Sequence, residues 1–322
     1  MLSQSRVDRY PGAMVTIRAA VVQAAPIAFD SAATLDKVET LVRRAAEQGA
    51  SFVALPEAFI SAYPKGLDFG ARVGSRSSEG REMFRRYFDS AIDIPGPETA
   101  RLSEIAKTSK VDIVIGVIER GGGTLYCTAL FIASDGRLLG KHRKLVPTAS
   151  ERLIWGRGDG STLTVVDTGV ARAGAAICWE NYMPLYRAAL YAKGVQLYCV
   201  PTVDDRASWI PTMQHIAFEG RCFVLSACQF ARRSDYPEDY PLDGVHDPDA
   251  VLIRGGSVIV DPAGQLLAGP LYDEETVHVA TLDLDEITRG KFDLDVSGHY
   301  ARPDVFQLRI DDSVREGEVP GG

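Results

Sequence analysis

Cys178 closes the small apolar run Ala173-Gly174-Ala175-Ala176-Ile177 and opens the polar and aromatic run Trp179-Glu180-Asn181-Tyr182-Met183-Pro184-Leu185. The first run suits a buried strand, and the second reaches a proline suited to the first turn of a helix. A thiol at the carboxyl end of a buried strand, just ahead of a helix, stands in a sharp turn where a nucleophile can face a pocket with backbone N–H groups close by. The competing reading is a packed cysteine, since free Cys is among the most buried residue types. Two further groups share this setting. Glu57 ends the apolar run Phe52-Val53-Ala54-Leu55-Pro56, and Lys144 stands in Lys141-His142-Arg143-Lys144-Leu145-Val146-Pro147, after a hairpin strand over 136–140. Strand-to-loop transitions are where α/β folds collect active-site groups. Taken singly, Glu57 reads as a solvated loop acid and Lys144 as part of a solvated basic face. Taken together, the three meet the needs of thiol chemistry: a base makes the thiolate, and a fixed cation meets the negative charge of its adduct.

The elements that must position these groups follow from periodicity. Apolar residues run almost without break over 17–25, and Asp30 or Ser31 then caps a helix whose Leu35, Val38, Leu41, Val42, Ala45 and Ala46 fall at helical spacing until Gly49. A strand over 52–55 completes a strand–helix–strand unit, which predicts a right-handed crossover and parallel neighbours. Helices are predicted over 79–91 and 97–109, strands over 112–118 and 124–133, and a hairpin turn at Asp135-Gly136. Beyond Lys144, strands over 163–167, 173–178, 196–200 and 222–228 alternate with helices over 184–193 and 207–220. Strands over 256–260, 265–268 and 276–282 and a short helix over 284–291 complete the pattern. Two mixed sheets with helices outside would bury this many apolar strands. The polar and aromatic stretch 231–250 reads as a long loop, of a length that is usually functional or mobile.

No low-complexity linker divides the 322 residues, so 14–310 reads as one domain between an N-terminal extension over 1–13 and a disordered tail over 311–322. The formal charge of −8 argues against a nucleic-acid or membrane surface, because both partners are anionic. Neither a signal peptide nor an apolar run of the ~20 residues that span a bilayer is present, which predicts a cytoplasmic protein. Cys127, Cys178, Cys199, Cys222 and Cys228 lack CxxC spacing, so a disulfide framework is not expected. The histidines show no close pair of metal-ligand type, and no metal is expected.

On Leu55-Pro56-Glu57-Ala58-Phe59, His142-Arg143-Lys144-Leu145-Val146-Pro147-Thr148 and Ala176-Ile177-Cys178-Trp179-Glu180-Asn181, which fall in the family's order, the chain resembles the nitrilase (carbon–nitrogen hydrolase) superfamily. Similarity extends through Trp155-Gly156-Arg157-Gly158-Asp159-Gly160, Gly220-Arg221-Cys222-Phe223-Val224 and Gly298-His299-Tyr300-Ala301-Arg302-Pro303-Asp304, and covers about residues 17–309. Cys178-Trp179-Glu180 marks the true nitrilase branch, and the chain is most similar to plant-type nitrilases, including those acting on arylacetonitriles and β-cyanoalanine. Many bacterial members carry His-Glu-Arg where this chain has Ser150-Glu151-Arg152.

The resemblance implies a four-layer α-β-β-α sandwich and a cofactor-free hydrolase of small-molecule nitriles. In it Glu57 is the general base, Cys178 the nucleophile and Lys144 the electrostatic stabiliser. It implies that Glu151 orients Lys144 or assists proton transfer; the alternative is a salt bridge with Arg143 or Arg152. It also implies homo-oligomers built from dimers and extended into spirals, for which Met183, Leu185, Tyr186 and Tyr191 offer a twofold contact. Tyr63, Trp179 and Tyr182 lie near the three groups in sequence and would line an aromatic-walled substrate pocket. That wall suits an arylacetonitrile, whereas Arg232, Arg233 and Asp235 of the long loop could bind the amino-acid head group of β-cyanoalanine. Rival readings are an amidase or carbamoylase on the same scaffold, and a non-catalytic binding member.

Overall fold

The Asp30 carboxylate accepts a hydrogen bond from the Ala33 N–H at 2.9 Å and starts the first helix as an N-cap should. The computed structural model describes residues 15–314, residue 243 excepted. The predicted extension over 1–13 and all of the predicted tail beyond 314 lie outside them. In chain order the elements are β1 (Thr16–Gln23), α1 (Ser31–Glu47), β2 (Phe52–Ala54), α2 (Ser78–Ser90), α3 (Pro97–Ser109), β3 (Asp112–Gly121), β4 (Thr124–Ile132) and β5 (Leu138–Arg143). There follow β6 (Val165–Asp167), β7 (Arg172–Ala175), α4 (Pro184–Ala192), β8 (Leu197–Thr202), α5 (Trp209–Gly220), β9 (Phe223–Cys228), β10 (Phe230–Arg232) and β11 (Val251–Arg254). The last are β12 (Val258–Val260), β13 (Leu266–Ala268), β14 (Thr276–Asp283) and α6 (Asp285–Asp293).

Two six-stranded mixed sheets form, ordered β14-β1-β2-β3-β4-β5 and β13-β12-β9-β8-β7-β6. Each has three parallel central strands, β1-β2-β3 and β7-β8-β9, with antiparallel strands outside them. The central strands are apolar on both faces, as parallel strands covered on both sides must be. Val21, Phe52 and Val114 of the first sheet meet Ala173, Leu197 and Leu225 of the second in a core between the sheets. Outside it, Leu35, Val38 and Leu102 of α1 and α3 pack on the first sheet, and Leu190, Trp209 and Met213 of α4 and α5 on the second. The layer order is α-β-β-α. β14 pairs with β1 along its whole length, so the two ends of the domain share one sheet.

Three expectations change. β5 continues to Arg143, which puts Lys141, His142 and Arg143 on the strand itself; Lys141 and Arg143 pair with the buried Glu119 instead of facing solvent. The stretch 231–250 is anchored by the antiparallel pair β10–β11, and its Tyr236 and Tyr240 are buried. On α4, Tyr186 and Tyr191 pack into the chain's own core instead of lying on an outer face, and Leu185, 73% exposed, is the outward residue.

Candidate active site

β2, β5 and β7 end near one another, and Glu57, Lys144 and Cys178 follow them directly in the chain. The loop after β2 reaches its place by crossing the backbone of β3 at Gly116. The Gly116 N–H donates to the Pro56 carbonyl at 3.1 Å, and the Phe59 N–H donates to the Gly116 carbonyl at 2.8 Å. A Cβ at this position would lie 2.6 Å from Glu57 Cα, so only glycine permits the crossing. Ala58, Ser61 and Ala62 in the loop that follows take φ of 49°, 87° and 78°. Gln229 fixes it by donating to the Glu57 carbonyl at 2.7 Å.

Cys178 also has positive φ, 48°, at the start of a single 3-10 turn over Cys178–Tyr182. Such a conformation costs of order 1–3 kcal/mol and persists only where the surroundings over-determine it. Here Glu180 and Asn181 do so. Glu180 accepts from the Ile177 N–H at 2.8 Å, the Leu145 N–H at 2.7 Å and His142 Nε2 at 2.9 Å. Asn181 donates to the carbonyls of Ala176 and Cys178. One buried carboxylate therefore ties the Lys144 loop to the Cys178 turn.

The Lys144 ammonium donates to Glu57 Oε1 at 2.7 Å and to Glu151 Oε2 at 2.8 Å, beneath the Trp155 ring. Neither Arg143 nor Arg152 takes Glu151: its Oε1 accepts from the Tyr63 hydroxyl at 2.7 Å and its Oε2 from the Thr148 N–H at 2.6 Å. Thr202 Oγ1 donates to Cys178 Sγ at 3.3 Å, and Cys127 Sγ lies 3.6 Å from Glu57 Oε1. Glu57 Oε2 is buried and has no hydrogen-bond partner among the described residues.

Burial raises the Glu57 pKa more than Lys144 and the Cys178 thiol lower it, and the carboxyl is pushed up to about 7. Burial, seconded by the Glu57 charge, also pushes the Cys178 thiol well above its usual range. Burial works against the charge on Lys144, but Glu57, Cys178 and Glu151 outweigh it and hold the ammonium above its ordinary range. The resting state is thus a neutral thiol beside a base poised near neutrality and a permanent cation. A proton can leave sulfur for the Glu57 carboxylate as the sulfur attacks.

Cys178 and Glu151 line a cavity of about 540 Å³ together with Tyr63, Trp155, Trp179 and Asp204, among others, while Glu57 and Lys144 are buried and off its wall. Of the three predicted aromatics, Tyr63 and Trp179 reach this wall. Tyr182 does not: the 3-10 turn carries it behind Trp179, where it packs edge-on against Trp179 and Trp209. The Trp179 indole N–H donates to Asp204 at 2.9 Å, and Arg206, itself paired with Asp204, lies 4.7 Å over the indole ring. Arg232, Arg233 and Asp235 do not line the cavity either. Arg233 donates to the carbonyls of Tyr236, Pro237, Glu238 and Tyr240, and Asp235 accepts from the Arg232 N–H. Trp155, Thr202, Cys127 and Asp204 were not singled out from sequence, because nothing local marks which strand and loop residues face the site.

A family model described as carbon-nitrogen hydrolase matches residues 18–292. The chain is 56% identical over 306 residues to an aliphatic nitrilase of Sinorhizobium fredii (strain HH103), covering 95% of this chain and 99% of that one. It is 56% identical over 302 residues to a bifunctional nitrilase/nitrile hydratase of Lupinus angustifolius, covering 92% and 86% of the two chains. In fold it is similar to the crystal structure of an amidase from Nesterenkonia sp., with a TM-score of 0.63 at 23% identity over 86% of this chain and 95% of that one.

Proposed function

The chain belongs to the carbon–nitrogen hydrolase family, and from that premise we infer that it is a nitrilase converting an organic nitrile to its carboxylic acid and ammonia. The observation that carries the site assignment is the placement of Lys144 between Glu57 and Glu151, with Cys178 on the cavity wall. Cys178 gives its proton to Glu57 as sulfur adds to the nitrile carbon. Glu57 passes that proton to the nitrile nitrogen, leaving a thioimidate and a free carboxylate. Water then adds as Glu57 takes one of its protons and hands it to the nitrogen, forming a tetrahedral intermediate with one hydroxyl and one amino group. Glu57 next carries the hydroxyl proton to the amino group; the oxyanion this leaves faces Lys144 and the Trp179 N–H, and its collapse expels ammonia and gives a thioester, which a second water hydrolyses to the acid and the free thiol. Where sulfur leaves the tetrahedral intermediate first, the product is the amide. Glu151 holds Lys144 in register and is itself held by Tyr63.

We propose a nitrile with a CH2 beside the reacting carbon, such as phenylacetonitrile or β-cyanoalanine. The aromatic surfaces of Tyr63, Trp155 and Trp179 favour the former, and the loss of Arg233 and Asp235 to internal hydrogen bonds removes one argument for the latter. Rapid acid quench during turnover of phenylacetonitrile, with peptide mass measurement, should find the acyl group on the Cys178 peptide, and ammonia equal to acid plus bound acyl. An unmodified Cys178 peptide at steady state with acid accumulating, or phenylacetamide consumed faster than the nitrile, would overturn the assignment. Benzonitrile or a short alkyl nitrile leading in kcat/KM by about tenfold would overturn the CH2-nitrile reading.

We also propose a homo-oligomer, supported by the exposure of Leu185, Tyr300 and Phe306 around one apolar groove. Light scattering of a 34.9 kDa species at micromolar concentration would contradict it. A cytoplasmic location is proposed from five unpaired cysteines, and no helix among the described residues is long and apolar enough to cross a membrane.

A further inference from the structure

Among the described residues, the long loop between β10 and β11 contributes none to the cavity wall, yet it is heavily anchored. Arg233 spends its guanidinium on four carbonyls of the 236–240 turn, and Arg86 of α2 pairs with Asp239 at 2.7 Å. This scaffolding fixes two tyrosines. Tyr236 and Tyr240, 5% and 3% exposed with ring centroids 4.7 Å apart, are packed in a satellite core with Ala62, Leu67, Val203 and Phe29.

Both hydroxyls point the same way. Tyr236 donates to the carbonyl of Tyr63 at 3.0 Å, and Tyr240 donates to the carbonyl of Lys65 at 2.8 Å. The acceptors belong to Tyr63–Asp68, six consecutive residues that form one wall of the cavity. The same wall approaches the loop closely at Gly66, with φ 79°, where an added Cβ would lie 2.7 Å from Leu242. Tyr63 is also the residue whose hydroxyl donates to Glu151, which holds Lys144. Tyr63 is thus held at its carbonyl by Tyr236, while its hydroxyl opens a series of hydrogen bonds through Glu151 and Lys144 to Glu57.

We propose that Tyr236 and Tyr240 are positioning residues that latch the Tyr63–Asp68 wall of the cavity and thereby set which substrates fit. The proposal rests on the reading of this cavity as the nitrile site. A wall held by two buried hydroxyls on a rigid loop keeps the Tyr63 ring at a fixed distance from Trp179 and Trp155, so an aryl substrate gains contact that a small one does not use. Release of the wall costs the aryl substrate its contacts and opens the site to groups too bulky to enter otherwise.

The test uses Tyr236→Phe, Tyr240→Phe and the double variant in the full-length protein, which remove one oxygen each and keep the packing. Two ratios are read. One is kcat/KM for phenylacetonitrile over that for propionitrile. The other is the alkylation rate of Cys178 by N-phenylmaleimide over that by iodoacetamide, followed by peptide mass, which needs no nitrile turnover. The double variant should lower the first by about fivefold or more and raise the second by a similar factor. Ratios within about twofold of wild type, or equal acceleration of both reagents together with a fall in Tm, would overturn the latch and leave the tyrosines as core packing. If the wild-type protein hydrolyses neither nitrile, the nitrile reading fails by itself, and the labelling ratio still decides the latch.

Discussion

Replacing Gly116 by alanine perturbs the site without touching any group that does chemistry. The new Cβ would lie 2.4 Å from the Pro56 carbonyl oxygen, 2.6 Å from Glu57 Cα and 2.7 Å from the Ala58 nitrogen, all of them backbone atoms. Ordinary contact begins at 3.4 Å, so the loop must retreat by about 1 Å. Side-chain rotation cannot absorb that shift, and the retreat carries Glu57 away from Lys144, now 2.7 Å from Oε1. A misplacement of about 1 Å in a catalytic group costs on the order of 10²-fold in rate, and overpacking of this kind costs about 1–3 kcal/mol of stability. Ammonia release from phenylacetonitrile gives kcat and KM, and a thermal melt gives the stability change. The expected outcome is a fall of about 10²-fold in kcat, with Tm lower by several degrees and the protein folded at the assay temperature. Gly116→Ala with kcat within about threefold of wild type would refute the claim that this crossing sets the base.

The Glu57 carboxyl, pushed up to about 7, must be ionised to accept the thiol proton, so kcat/KM should fall about tenfold per pH unit below that value; a Glu57→Gln variant, already slow, should lose this acid limb. Lys144 stays charged across the same range and should impose no limb of its own. Lys144→Ala should lower kcat by on the order of 10²–10³ by removing the cation that faces the intermediate, and an effect confined to KM in the same assay would make it a binding group. Glu180→Gln converts one oxygen that now accepts backbone N–H into a donor and should cost about 1–3 kcal/mol in a denaturant titration, with kcat falling more than KM rises.

Glu57 and Cys178 stand out in the sequence because each follows an apolar strand, and strand ends are where parallel sheets present functional side chains; Lys144 follows β5, whose last three residues are basic, and stands out only as a member of that run. The layer order was legible for a related reason: β2, β7, β8 and β9 are apolar on both faces and can only lie between layers. Proximity along the chain misled where local geometry was irregular. Trp179 and Tyr182 were paired as wall residues, yet the tight turn that begins at Cys178 places only Trp179 on the cavity. Trp155 and Asp204, far from Cys178 in sequence, complete the wall through tertiary packing that no local pattern encodes. The basic run misled in the opposite sense. Lys141, His142 and Arg143 have buried or half-buried carboxylate partners in Glu119 and Glu180, and those pairings depend on the register of β3, β4 and β5. Cys127 and Thr202 are strand residues whose relation to Glu57 and Cys178 likewise exists only once the two sheets are stacked.

Cys178→Ala in the ammonia-release assay with phenylacetonitrile tests the central claim most directly. The substitution removes the sulfur and little volume from a position whose backbone is held by Glu180 and Asn181, so the fold should persist. The wild-type protein should turn the nitrile over to acid and ammonia, and the variant should lose about 10⁴-fold or more of that rate with unchanged circular dichroism. Ammonia release by a folded Cys178→Ala protein within about tenfold of wild type would contradict it.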